Sequence, residues 1–184
     1  MPDQDRMPPI PHAAQTPRQQ AVSAELVSGP RGRLAGPFTP LLRSPGLMAR
    51  VQKVGEHLRF ESALPERVKE LAILVVARRW SQPYEWSFHL PLALKAGVAR
   101  ATAEAIAAGR RPESMPDDEA VAYDFLDELD ATRAVGDAVY GRTLAAFGEE
   151  GVIDLVGFGG YYALLAMVMN VARTPAEEAE IPLP

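Results

Sequence analysis

ERVKELAILVVARRWSQPYEWSFHLPLALKAGV, residues 66–98, decides how this chain folds. It reads as two helices joined by a tight turn. Leu64-Pro65-Glu66 opens the first helix, with Pro just inside the start, and Val68, Leu71, Ala72, Val75 and Val76 recur at helical spacing. Ser81-Gln82-Pro83 makes the turn, and the second helix closes near Gly97. Glu85 and His89 are four residues apart, so they share a face of the second helix and can meet. Trp86, Leu90 and Ala93 lie close to that face as apolar walls, surroundings that raise a carboxyl pKa and favour neutral imidazole. Glu70 sits beside the run LAILVVA, where burial demands a partner for a carboxylate. An antiparallel hairpin puts Glu70 and His89 at comparable distances from the turn, where they can face each other. Pro91 removes the backbone bond to the Ser87 carbonyl and predicts a kink just after His89.

Working outward, the same punctuation of Pro at starts and Gly at ends continues. Ser44-Pro45 opens a helix carrying Leu47, Val51, Val54 and Leu58; a short one runs from about 100 to 108 and stops at Gly109. Ser114-Met115-Pro116-Asp117-Asp118-Glu119 places a capping residue and three acids at the start of another, with Val121, Phe125 and Leu129 as its apolar face. Two more are expected at about 136–147 and 150–172. The last holds LVGFGGYYALLAMVM, 155–169, a run of 15 residues between Asp154 and Asn170. That is short of the roughly 18–20 residues that span a bilayer, and it predicts a buried core or subunit-interface helix. No strand-like alternation occurs, so the expected fold is all-α: a single-domain helical bundle of six or seven helices.

The N-terminal quarter differs, since nine of the seventeen prolines fall within residues 1–45. Residues 1–40 read as a flexible Pro-rich arm, of which 1–18 are disordered or extended and outside the core. A short turn of helix is allowed around Ala21–Val27, and Leu26, Val27, Leu34 and Phe38 could anchor the arm on a neighbouring subunit. Residues 41–175 form the helical domain and 176–184 a C-terminal tail.

Composition removes several functions. There is no Cys, which excludes disulfide frameworks, thiolate zinc sites, iron–sulfur ligation and thiol peroxidase chemistry. Three His (His12, His57, His89) leave little for a multi-histidine metal site. Residues 61–184 carry eleven Arg/Lys against twenty Asp/Glu, an acidic body unsuited to nucleic acid. The start MPDQDRMPPIPHAAQ lacks the apolar run of a secretory signal, so a cytoplasmic location is expected. Sixteen Arg against three Lys, with abundant Ala, suggests a bacterial source of high GC content. Glycine-rich phosphate loops, H-E-x-x-H and G-x-S-x-G are absent.

Residues 66–98 resemble the carboxymuconolactone decarboxylase family and its relative, alkylhydroperoxidase D. In that superfamily a buried Glu is followed, after the turn, by a Cys-x-x-Cys-x-x-x-His helix start. Glu70 falls at the Glu position, Gln82 and Glu85 at the two Cys positions, and His89 at the His. The tail GYYALLAMVMN extends the likeness loosely to roughly 40–175. With both Cys positions replaced, the chain is similar to the cysteine-free, decarboxylase-like branch. The resemblance implies a cofactor-free lyase, with no metal, acting on a small carboxylated lactone. It implies His89 as the acid–base group and Glu70 or Glu85 as its orienting or proton-sharing partner. Arg78, Arg79 or an arginine of another subunit would hold a substrate carboxylate, with Tyr84 and Trp86 beside the substrate. Self-association as a trimer or hexamer is implied too, with no nucleic-acid or membrane partner. Three alternatives stay open: isomerase or hydrolase chemistry on another lactone or enol, a metal held by Glu70, Glu85 and His89, and a non-catalytic oligomer in which this trio only ties two helices together.

Overall fold

A computed structural model describes residues 4–184. Among them are eight α-helices and no strand: α1 Pro17–Ser28, α2 Phe38–Leu41, α3 Pro45–Glu56, α4 Glu66–Arg79, α5 Pro83–Ala96, α6 Arg100–Ala107, α7 Asp117–Thr132 and α8 Asp137–Ala172. Residues 68–77 of α4 are all buried. A helix apolar on every side must be wrapped on every side, and α5, α6, α7 and α8 all pack on α4. The α4–α5 hairpin is thus the centre of the molecule, which makes its polar residues interior ones.

Helix α8 is two helices across a break. Gly148 adopts φ 68° and ψ 180°, a conformation open in practice to glycine alone, so the segments expected at 136–147 and 150–172 meet there at an angle. By length and composition α8 could cross a membrane, but half of its most apolar window is buried against protein. Asp154 explains how a charged residue sits at the edge of that run: it is buried, and His57 Nε2 lies 3.2 Å from its Oδ1. Helix α5 runs through Pro91 to Gly97, whose φ of 103° ends it in the left-handed region.

The reading of 1–40 as an arm needs correction from Pro17 onward. α1 is a 12-residue helix whose Val22 and Leu26 enter the core, joined there by Phe38, Leu41 and Leu42. The prolines permit it because none falls between Pro17 and Gly29, and Pro17 occupies the first helical position, where its missing N–H is harmless. Thr16 and Gln19 form a capping box: Gln19 N donates to Thr16 Oγ1 and Thr16 N donates to Gln19 Oε1. These additions take the helix count beyond six or seven. Ahead of α1, residues 4–16 contain no buried residue, although Arg6 N donates to the Ala172 carbonyl at 2.8 Å and Ile10 packs against the core.

The C-terminal tail is also docked, through buried Ile181. Its carbonyl accepts from the Trp86 indole N–H at 2.6 Å, which satisfies the polar edge of a side chain only 1% exposed.

Candidate functional site

The turn between α4 and α5 builds the site. Ser81 takes a positive φ of 45° and Gln82 becomes the N-cap of α5. Its Oε1 accepts from Tyr84 N at 2.6 Å and Glu85 N at 3.3 Å, while its Nε2 donates to Asn170 Oδ1 at 2.9 Å on α8. Gln82 therefore fixes the start of α5 and ties it to α8. Glu85 and His89 follow on the buried face of α5.

His89 Nδ1 lies 2.7 Å from Glu70 Oε2, with both side chains almost wholly buried. A carboxylate only accepts, so the imidazole proton sits on Nδ1 and Nε2 keeps its lone pair. Burial pushes the His89 pKa down, Glu70 pulls it partly back, and Arg59 and Arg31 push it down again. The result is a neutral imidazole with an oriented, unprotonated Nε2. Phe88 and Tyr162 pack against the ring in T-shaped geometry, with centroids 5.0 and 5.4 Å away.

Glu85 does not join this pair. Neither of its carboxyl oxygens has a hydrogen-bond partner, and both are buried. Two effects compete for its proton. Its place in the first turn of α5 favours the anion by at most about 2 kcal/mol, whereas burying a carboxylate without a partner costs several kcal/mol. Burial wins and pushes the Glu85 pKa well above the usual carboxyl range, which favours the protonated, neutral acid.

Glu85 and His89 line one cavity of about 230 Å³. Its other walls come from the 29–37 loop, from Arg59 and Phe60 in the π-helical turn His57–Glu61, from Tyr84 and Phe88 on α5, and from Tyr162 on α8. Burial raises the Tyr162 hydroxyl well above its usual pKa, and pushes the neighbouring Tyr161 up to about 12. Both phenols are thus neutral. Glycines make the space: a Cβ on Gly55 would overlap the Tyr161 hydroxyl and the Arg31 guanidinium, which donates to that hydroxyl at 3.2 Å.

Of the residues singled out from sequence, Glu70, His89, Glu85 and Tyr84 come together here and three do not. Arg78 donates from Nε to the Ala107 carbonyl at 2.7 Å. Arg79 donates to the Leu126 carbonyl and pairs with Asp127 at 2.9 Å. Both leave the C-terminal end of α4 toward neighbouring helices, because the turn directs the cavity-facing surface to α5 instead. Trp86 is core, capped by the C-terminal tail. The cationic lining is supplied by Arg31 and Arg33 of the loop and Arg59 of the π-helical turn, which the sequence reading missed: arginines outside regular α-helices carry no periodic signal. The trio Glu70, Glu85 and His89 does not form a metal-ligating cluster, and no group of three such side chains does among the described residues.

Comparison with known proteins agrees with this architecture. The chain superposes on a crystal structure described as an alkylhydroperoxidase AhpD core, an uncharacterized peroxidase-related protein from Ralstonia eutropha JMP134. The TM-score is 0.75 at 15% identity, over 94% of this chain and 92% of the other. No curated protein sequence matches. The carboxymuconolactone decarboxylase family matches residues 45–128, from the start of α3 into α7, and so includes Glu70, Glu85 and His89. Residues 45–128 thus carry the carboxymuconolactone decarboxylase family match, within a chain whose whole fold is alkylhydroperoxidase D-like.

Proposed function

We infer that the protein is a cofactor-free lyase that decarboxylates a small carboxylated lactone by acid–base chemistry. The observation that supports this most is the pairing, on one cavity, of a neutral imidazole held by Glu70 with a neutral, unpartnered Glu85 carboxyl. Cleavage of the bond to the departing carboxylate releases carbon dioxide and leaves an electron pair delocalised through the unsaturated ring onto the lactone oxygen. Neutral donors and cationic arginines stabilise that oxygen. One proton then replaces the lost carboxylate, and Glu85 is the group that holds one ready; it regains its proton from water after product leaves. His89 Nε2 is the acceptor that aligns the substrate acid or takes up a proton during the cycle. Glu70 fixes its tautomer.

A lactone or enol isomerase is the second reading, favoured by the same observation, because a free base and a free acid on one cavity suit removal of a proton at one carbon and its delivery at another. The peroxidase-related description belongs to the structural neighbour. This chain has no Cys to carry thiol chemistry. The reading implies a small-molecule substrate, a homo-oligomer and a place in the bacterial cytoplasm in the breakdown of aromatic compounds.

A screen of carboxylated lactones tests it, with released carbon dioxide and deuterium incorporation from D₂O read together. Carbon dioxide release that is lost in His89→Gln supports the lyase. Deuterium exchange without carbon dioxide supports the isomerase. Neither, across the panel, overturns both.

A further inference from the structure

We propose that the Tyr162 hydroxyl is a further catalytic group, the hydrogen-bond donor to the oxyanion that forms beside His89 during turnover. The inference rests on reading the cavity as an acid–base site. It serves the lyase and the isomerase alike, since both place an electron pair on an enolate-type oxygen.

The ring owes its place to the turn of α8. Neighbouring residues on a helix point about 100° apart, so Tyr161 and Tyr162 leave α8 in different directions. Tyr161 meets Arg31, which donates to its hydroxyl at 3.2 Å in the space that Gly55 leaves open. Tyr162 goes to the cavity wall, where it is only 2% exposed. Three rings clamp it there. His89 stands perpendicular to it with centroids 5.4 Å apart, Tyr161 does the same at 5.2 Å, and Phe158, one helical turn earlier, lies parallel at 6.0 Å. The hydroxyl at the tip of a ring held in this way is pre-organised, the condition under which a dipole stabilises developing charge without first having to reorient.

That hydroxyl is also unspent. It enters no hydrogen bond among the described residues, and unlike the Glu85 oxygens it is not a sealed interior atom, so it opens on the cavity that its ring lines. The other polar groups of the wall are committed or differ in character. His89 donates from Nδ1 to Glu70 and offers only a lone pair at Nε2. Arg31 is bonded to Tyr161, and Arg33 and Arg59 stand over the Phe88 ring at 5.5 and 5.9 Å. As full cations they attract an anion before the reaction as well as during it. A neutral hydroxyl gains most when charge appears on the oxygen it faces, which is the difference between binding and catalysis. Tyr84, the other phenol of the cavity, is half-buried with its ring against Gly36, whereas Tyr162 has the drier site in which such a bond is strongest. Burial keeps the Tyr162 proton in place, with Tyr161, Glu85 and Glu70 adding to that effect, while the Arg59 charge opposes it and polarises the O–H bond.

Tyr162→Phe tests the donor, because it keeps the ring and its three contacts and removes one oxygen. Two probes of similar shape separate the hydroxyl from packing: 4-nitrophenolate, a stable oxyanion whose absorption reports its ionised state, and nitrobenzene, which lacks that oxygen. Wild type should bind 4-nitrophenolate, and Tyr162→Phe should bind it about tenfold or more weakly, the scale of a lost charge-assisted hydrogen bond, with nitrobenzene affinity unchanged. With a responsive lactone acid, kcat should fall about a hundredfold or more while KM stays within a fewfold. The proposal is overturned by wild-type protein that does not bind 4-nitrophenolate, by equal phenolate affinity in the two proteins, or by parallel losses for both probes, which would mark Tyr162 as packing alone. Carbon dioxide release at wild-type kcat in Tyr162→Phe rejects the donor and keeps the lyase. Tyr162-dependent phenolate binding, in a protein that neither decarboxylates nor exchanges any lactone acid, keeps the donor and rejects that reading of function.

Discussion

His89 on α5 and Glu70 on α4 stand 19 residues apart in sequence and 2.7 Å apart in space, Nδ1 to Oε2. The contact crosses the centre of the fold and leaves Nε2 as the ring's free nitrogen. It sets the order of effects expected from substitution.

His89→Gln should abolish turnover and keep the fold, because an amide can mimic one imidazole hydrogen bond but cannot exchange a proton near neutral pH. Glu70→Gln and Glu85→Gln should each lower kcat by roughly ten- to a thousandfold. Glu70→Gln should weaken orientation of the ring, whereas Glu85→Gln removes the proton source. Initial rates with a responsive lactone acid, alongside thermal melts, check all three; wild-type rates in His89→Gln would remove it from the mechanism.

Activity should follow a bell in pH. The acid limb lies below 6.5, since burial lowers the His89 pKa from that value and the base must be neutral. The alkaline limb lies well above the ordinary carboxyl range, where Glu85 finally ionises. Stability responds through the same groups. The Glu85 pKa is raised on folding, so its contribution is full below the unfolded carboxyl value and is lost as pH rises through the folded one. The His89 pKa is lowered, so its contribution is full above 6.5 and is lost as pH falls through the folded value. His57, raised mainly by its bond to Asp154, declines with rising pH as Glu85 does. Urea unfolding across pH of wild type and Glu85→Gln isolates Glu85: the alkaline decline should be shallower in the variant, the remainder coming from His57, Glu119 and the buried tyrosines, whose pKa values are raised as well.

Two glycines of α8 should respond in opposite directions to the same change. Gly148→Ala forces a side chain to φ 68° and ψ 180°, which should destabilise by about 1–3 kcal/mol although space is free around it. Gly141→Ala, in open space within the helix, should stabilise by about 0.5–1 kcal/mol. Thermal melts of the two variants check the sign of each.

The protein should self-associate through α8. Ile153, Val156, Met167 and Val171 are 68%, 44%, 41% and 59% exposed, and steps of 100° per residue bring them to within about 60° of one another on one face. An apolar stripe of this kind marks an interaction surface. Sedimentation should give a mass above 20.0 kDa, and Ile153→Glu with Val171→Glu should return the chain toward monomer. A wild-type monomer at micromolar concentration would contradict this.

Much of the site was legible because it is local or nearly so. Glu85 and His89 lie on one helix face, and a hairpin with a short turn places Glu70 opposite His89 whatever surrounds it. The starts at Pro45 and Pro83 were equally plain. α1 was read too short, as a turn of helix around residues 21–27, although Thr16-Pro17-Arg18-Gln19 spells a capping box and no Pro follows until Pro30; proline content was weighed over a whole region when only proline position matters. The pairing of Glu85 with His89 was overread: four-residue spacing permits contact, but His89 has a single free donor and Glu70 takes it.

Sequence alone was enough to read the chain as helical, to remove thiol chemistry, and to put Glu70 and His89 where they can face each other across the hairpin. These follow from periodicity, turn residues and composition, each a property of neighbours in the chain. Only the tertiary structure decided that Glu85 is left without a partner and that Arg31, Arg33 and Arg59, not Arg78 and Arg79, face the cavity. Burial and charge convergence are set by segments distant in sequence: a loop ahead of α2, a π-helical turn and the last helix reach the same cavity. No local pattern encodes that meeting, because an arginine on a loop reads the same whether it points at water or at a ligand.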